Sequence, residues 1–426
     1  MRPLLLLLAA CATDEKTVDI TSILCEDADT DGACDPADLA IAGVAGASWA
    51  VAPGGADALA APLRAGAHLL VPAPGAGSGD GAIALFDAVD GEVQADEAPA
   101  SLRPAGADEA LGAALLTFPD TAGAATVAIG APGAESGAGA LYITSADTLA
   151  DSVLSRTTLG TTGAGLGAAL AAVGETGRLL VGAPTEESRG EIVGAVELFS
   201  VEGGLATATG RWAGVAAGAQ LGATLATIDL DGDGVVDALI GAPGEGTAGR
   251  VYATPGDAGS TADLSTIATW VDGDLDGSAF GAALATTTGP DGYGLVAIGA
   301  PLGDTGRAYV FAGPDLMSGA AAGDAVATLY GQAHDDAGRA LCFLEDGTLL
   351  VGAPDTAGGL GAIYGYTTLR GGLSTAEPEL VRKATEEEEK LGQGLALTDF
   401  TGDGVPDLGF LTRDPDDRYR WNILGL

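Results

Sequence analysis

Two histidines, two methionines and 18 basic residues are all that 426 positions hold, against 59 carboxylates. The histidines, His68 and His334, lie far apart, and the chain has no Gly-x-Ser-x-Gly elbow and no His/Cys cluster of the zinc type. Serine-hydrolase and zinc-enzyme chemistry therefore lack their parts. His334 beside Asp335 and Asp336 is the one place where a His–carboxylate pair could act, and a two-carboxylate glycosidase stays open because carboxylate separation is not legible in sequence. A net charge of −41 repels nucleic acid and anionic head groups, and it favours divalent cations and basic partners. Arg-Gly-Asp does not occur.

What the chain has is glycine and aspartate. Glycine fills 69 of 426 positions, about twice the usual share of roughly 7%. Each interior glycine costs a helix about 1 kcal/mol relative to alanine, so long helices are not expected. The stretch from Leu221 to Thr254 shows how the residues are used. Small and branched residues from Leu221 to Ile228 run into an acidic loop, with Asp229, Asp231, Asp233 and Asp237 at loop positions 1, 3, 5 and 9. That is a calcium-ligand spacing: a hard cation takes six to eight oxygens, the Val235 carbonyl stands at position 7, and Gly234 permits the bend. Position 12 is Ile240 rather than glutamate, so the loop suits a hairpin between two strands. A strand ending at Gly241-Ala-Pro243, a Gly-rich turn and a third strand from Arg250 to Thr254 complete the unit.

The unit resembles the FG-GAP repeat of integrin α-chain β-propellers, with Leu221-Gly222 in the first place and Gly241-Ala-Pro243 in the second. Similar cores occur at Leu111-Gly112 with Gly130-Ala-Pro132, Leu166-Gly167 with Gly182-Ala-Pro184, and Phe280-Gly281 with Gly299-Ala-Pro301. Gly338 with Gly352-Ala-Pro354, Gly46-Ala47 with Pro72-Ala-Pro74, and Leu391-Gly392 with Gly409-Phe-Leu411 are weaker copies. The second triplets start at 72, 130, 182, 241, 299, 352 and 409, a recurrence of blade length. The expected fold is all-β: a seven-bladed β-propeller of four-stranded antiparallel blades over residues 38–426. The last copy repeats the acidic loop as Asp399, Thr401, Asp403, Val405 and Asp407, with a hydroxyl in place of one carboxylate and a weaker site expected.

Before the repeats, Met1 to Cys11 reads MRPLLLLLAAC, an apolar run too short to span a bilayer. It matches a bacterial lipobox, which implies that residues 1–10 are a lipoprotein signal peptide, that cleavage falls before Cys11 and that Cys11 is lipidated on its thiol and amine. Ala12 after the cysteine points to the outer membrane of a Gram-negative cell by the same analogy. Residues 11–37 are read as a stalk. Cys25 and Cys34 bracket an acidic loop and are expected to form a disulfide in an oxidising compartment. Within it, Asp27, Asp29, Asp31, Asp35 and Asp38 take calcium-loop positions 1, 3, 5, 9 and 12, with Gly32 at the bend, similar to one thrombospondin type 3 or dockerin repeat. A solvated acidic linker is the alternative. Cys342, in an apolar strand, is expected to be buried and free.

Fourth strands are expected near Ala208–Trp212, Thr266–Val271, Val326–Tyr330 and Glu379–Arg382. The chain ends on what reads as a third strand, so Leu39 to Gly43 is expected to complete the seventh blade; a short helix from Ala37 to Ala45 is the alternative. Small residues such as Gly222-Ala-Thr224 suit the crowded axis. On the face opposite the calcium hairpins the order of strands would gather Glu135, Glu186, Glu187, Glu245, Asp272, Asp274, Asp276, Asp335, Asp336 and Glu386 to Glu389. These are candidates for docking a basic or cation-bridged surface protein or polysaccharide, or else a solvated rim. The expectation is a calcium-bound, lipid-anchored surface binding or adhesion module, monomeric and not catalytic. Its alternatives are a structural surface protein without a ligand and a propeller-scaffold hydrolase.

Overall fold

The computed structural model describes residues 48–51, 62–65, 68–73, 81–86, 92–94, 100–104, 108–151, 154, 156–256, 264, 268–303, 305–384, 390–400, 404–413 and 419–425. Cys11, Cys25, Cys34, the acidic loop Asp27–Asp38, Leu39–Gly43, Thr401, Asp403 and Glu386–Glu389 lie outside these residues.

Seven sheets follow one another around an axis, each built from successive antiparallel strands. Blade 4 shows the plan: Thr224–Ile228, Asp237–Ala242, Arg250–Thr254 and Thr269–Asp272, from the axis outward. Blade 1 uses Leu63–Ala65, His68–Ala73, Ala82–Phe86 and Ala100–Leu102. Blade 2 uses Ala114–Pro119, Ala125–Ala131, Ala140–Ser145 and Arg156–Leu159. Blade 3 uses Leu170–Ala172, Arg178–Ala183, Ala195–Glu202 and Leu205–Ala213. Blade 5 uses Ala283–Thr288, Gly294–Ala300, Arg307–Ala312 and Ala327–Tyr330; blade 6 uses Ala340–Phe343, Leu349–Ala353, Ala362–Tyr366 and Leu380–Lys383. Blade 7 has Leu395–Thr398, Asp407–Arg413 and Tyr419–Gly425, with Ser48–Val51 antiparallel to the last of these.

Two features differ from expectation. Ser48–Val51 takes the place beside the C-terminal strand, so Gly46-Ala47 does not open the innermost strand of blade 1; Leu63–Ala65 is that strand. The first repeat has lost its Leu-Gly signature, and motif spacing alone misplaced it. Connections in blades 1 and 6 also reach sideways: Glu92–Gln94 pairs parallel to Ser48–Val51, and Gly371–Ser374 pairs parallel to Ala327–Tyr330, giving blades 7 and 5 a fifth strand.

The patterning of each strand follows its place. Second strands lie between two neighbouring blades and are buried on both faces, which is why Leu349–Ala353, and Asp237–Ala242 after its first residue, read as unbroken small and apolar runs. Outer strands alternate, as Thr269–Asp272 does. The core is spread over the blade seams rather than gathered at one centre: Leu239, Val251 and Val271 of blade 4 pack with Phe280, Val296, Ile298 and Phe311 on the blade 5 side.

Candidate functional site

The hairpin joining the first two strands of blade 4 holds the acidic loop. Asp229 accepts from Gly232 N at 2.7 Å and Gly234 N at 2.9 Å, and Asp233 accepts from Val235 N at 2.7 Å. These turns fold the loop over its own carboxylates. At its far end Asp237 is buried and accepts from Leu230 N at 2.8 Å. Carboxylate oxygens of Asp229, Asp231 and Asp237 lie within 4.8 Å of one another. Burial, aided by repulsion from Asp231, Asp233 and Asp229, pushes the Asp237 carboxyl up to about 6, although the Leu230 N–H opposes the shift. The site thus concentrates negative charge around a buried acid with oxygen donors alone.

The same construction recurs in blade 7. Asp407 is buried and accepts from Phe400 N at 2.8 Å, as Asp237 does from Leu230 N, and Asp399 accepts from Gly404 N at 3.0 Å, as Asp229 does from Gly234 N. The residue after the first aspartate, Leu230 or Phe400, is buried and roots each loop in the core.

On the opposite face, most of the described carboxylates expected to meet a ligand have partners inside the chain. Glu245 is buried and accepts from Tyr252 Oη at 2.8 Å and Arg250 at 2.9 Å, while Asp272 takes two further bonds from Arg250 at 2.6 and 3.0 Å. Burial pushes the Tyr252 hydroxyl up to about 12, so it stays a donor at neutral pH. Asp274 accepts from Tyr309 and from Arg307, and Tyr142 donates to buried Glu109. Glu186 pairs with Arg211 at 2.7 Å, and Asp276 accepts from Thr247 at 2.6 Å. Glu135 pairs with Arg156 at 2.7 Å, whereas Glu187 is exposed in a two-residue ladder with Ile192.

Asp335 turns inward to Gln332 N and Thr375 Oγ1, both at 2.8 Å, while His334 is exposed. Burial and then the neighbouring Asp355 raise the pKa of Asp336. The recurring tyrosine–carboxylate bonds escaped sequence reading because their partners stand up to 35 residues apart. The signal was present: Tyr142, Tyr252, Tyr309 and Tyr364 hold the same position in four third strands.

Around the axis, the first strands of blades 2 to 7 line a cavity of about 430 Å³ with alanine, leucine, Thr224, Gly394 and the side of Trp421.

Residues 221–253 match the FG-GAP repeat family, the stretch that forms blade 4 up to its third strand. No curated protein matches the chain.

Proposed function

We propose that the protein is a calcium-stabilised binding module of the bacterial cell surface, held to the outer membrane through lipid on Cys11 and engaging a protein or glycan partner as a monomer. The observation that carries the metal reading is Asp237: a buried carboxylate whose oxygen lies within 4.8 Å of those of Asp229 and Asp231 fits a divalent cation that neutralises the three. Oxygen-only donors select a hard ion. Asp229, Asp231, Asp233, the Val235 carbonyl and Asp237 would hold it in blade 4, and Asp399, Thr401, Asp403, Val405 and Asp407 in blade 7. The ion would supply charge neutralisation and tie the first two strands together; no reaction is assigned to it. Binding rather than catalysis is inferred from the FG-GAP match over 221–253 and from the engagement of Asp335 by Gln332 N and Thr375 Oγ1.

A second reading, a structural surface protein without a ligand, draws support from the internal partners of Glu186, Glu245, Asp272 and Asp274. The test of the metal reading is a thermal melt of the full chain in calcium and in chelator. Binding to the folded state stabilises it by about 3 kcal/mol at a hundredfold excess over Kd. The midpoint should rise in calcium, and Asp229→Asn should remove most of the rise. An unmoved midpoint would sink the metal reading. Cys11→Ser should release the protein from the membrane fraction; continued membrane retention would sink the lipid anchor.

A further inference from the structure

We propose that the fourth strands of blades 4 and 5 carry a glycan-binding surface, in which Trp270 and Tyr330 are stacking platforms for the pyranose rings of a neutral oligosaccharide. The proposal rests on the reading of the chain as a binding module and names the ligand class. Both residues lie in the fourth strands of successive blades, and they are 40% and 44% exposed, whereas Trp212 and Trp421 are fully buried.

Each ring is braced by an arginine. The Arg250 guanidinium lies 5.0 Å from the Trp270 ring centre and 5.6 Å from that of Tyr252, and Arg307 lies 5.1 Å from that of Tyr330. The arginines are themselves fixed, Arg250 by Asp272 and Glu245 and Arg307 by Asp274. The platforms therefore lose little side-chain freedom on binding, which is where much of the cost of ordering an exposed aromatic lies. Beside Tyr330 the fifth strand carries Gly372, where even a Cβ would stand 3.6 Å from the ring, so no side chain from that position covers it.

The chemistry of the surroundings selects the ligand. A protein partner needs a contiguous apolar centre within about 1,600 Å² of buried surface. Here two single rings stand in successive blades, edged by charged groups. A polyanion is opposed by the net charge of −41. A sugar offers one ring-sized C–H face per platform and hydroxyls that can donate to Asp272 and Asp274, whose side chains are about half exposed and keep acceptor capacity beyond their arginine bonds.

The experiment uses the full chain in calcium against a printed panel of neutral oligosaccharides with glucose, galactose, mannose and N-acetylhexosamine termini. Titration of the best binder then follows tryptophan fluorescence. Binding is expected, with Trp270→Ala weakening it about tenfold or more and Trp270→Phe far less. Tyr330→Ala should weaken hexasaccharides more than monosaccharides. No binding of any sugar at about 10 mM, or affinity unchanged in both alanine variants, would overturn the surface. A melt in calcium and chelator on the same sample separates the two ideas. A persisting calcium-dependent rise without sugar binding overturns the glycan surface alone, whereas loss of the rise counts against the calcium-stabilised module beneath it.

Discussion

The residue before each Leu-Gly or Phe-Gly pair adopts a left-handed backbone: Ala110, Gln220, Ala279 and Lys390 have φ between 52° and 57°, and Asp336 before Ala337-Gly338 has φ 52°. Such a conformation costs a non-glycine residue roughly 1 kcal/mol. Its recurrence at five seams identifies it as a requirement of the blade turn, so the strain at Asp336 is no sign of catalysis. Ala279→Gly should change stability by less than about 1 kcal/mol, because relief of strain is offset by the freedom glycine gains on unfolding. Ala279→Val should cost clearly more, since a branched side chain resists positive φ. Urea midpoints decide it, and equal effects would refute the account. Cys342 gives a second check. Burial pushes its thiol up to about 12, against roughly 8.5 for a free cysteine, so between those values the unfolded chain ionises and the native one does not. Iodoacetamide at pH 9 should leave native Cys342 unmodified and react once the chain is unfolded; rapid native labelling would contradict its burial. The sequence marked Cys342 as buried and free, and its spacing placed Asp229, Asp231 and Asp237 in one hairpin, because period and spacing are local properties. It did not show that Glu245 and Asp274 are bonded to tyrosines, because those bonds depend on how the strands and loops come together.

The Leu-Gly and Gly-Ala-Pro elements are two halves of one joint. Gly222 N donates to Gly241 O at 3.0 Å within blade 4, and a Cβ on Gly241 would come 2.4 Å from Gly281 O of the next blade. The triplet therefore recurs in sequence because backbone meets backbone there. The preceding large residue fills the seam: Leu111, Leu221, Phe280 and Leu391 are fully buried. Phe280→Ala should cost about 3–5 kcal/mol in urea unfolding. At the corresponding place of blade 6 stands Ala337, also fully buried, and a Cβ on Gly331 would come 2.9 Å from its Cβ. Ala337→Leu should therefore destabilise by about 1–3 kcal/mol instead of restoring a stronger repeat. A gain in stability would show that the seam has room. Blade 1 was the least legible element: Gly46-Ala47 imitates the motif, while the true inner strand, Leu63–Ala65, carries no Leu-Gly pair before it.

A ring of sheets is stable only if its last seam is as good as the others, and here Ser48–Val51 pairs with the third strand of blade 7. Innermost strands are each paired on one side only, so closure depends on contacts between blades 1 and 7 and on what covers the edge of Tyr419–Gly425. Arg64 donates to Phe400 O at 3.3 Å, linking blade 1 to the acidic loop of blade 7, and Ser48–Val51 pairs with Tyr419–Asn422. The parallel strand Glu92–Gln94 of blade 1 lies on the far side of Ser48–Val51, so the segment is held between two sheets that are consecutive in space and remote in sequence. Removing everything through Val51 should uncover a strand edge and open this seam, leaving the other six intact. The expected result is a lower melting midpoint together with concentration-dependent self-association, seen by light scattering, because an unpaired edge recruits another. A truncated chain that melts like the full one and stays monomeric would mean that the ring is closed by inter-blade packing alone.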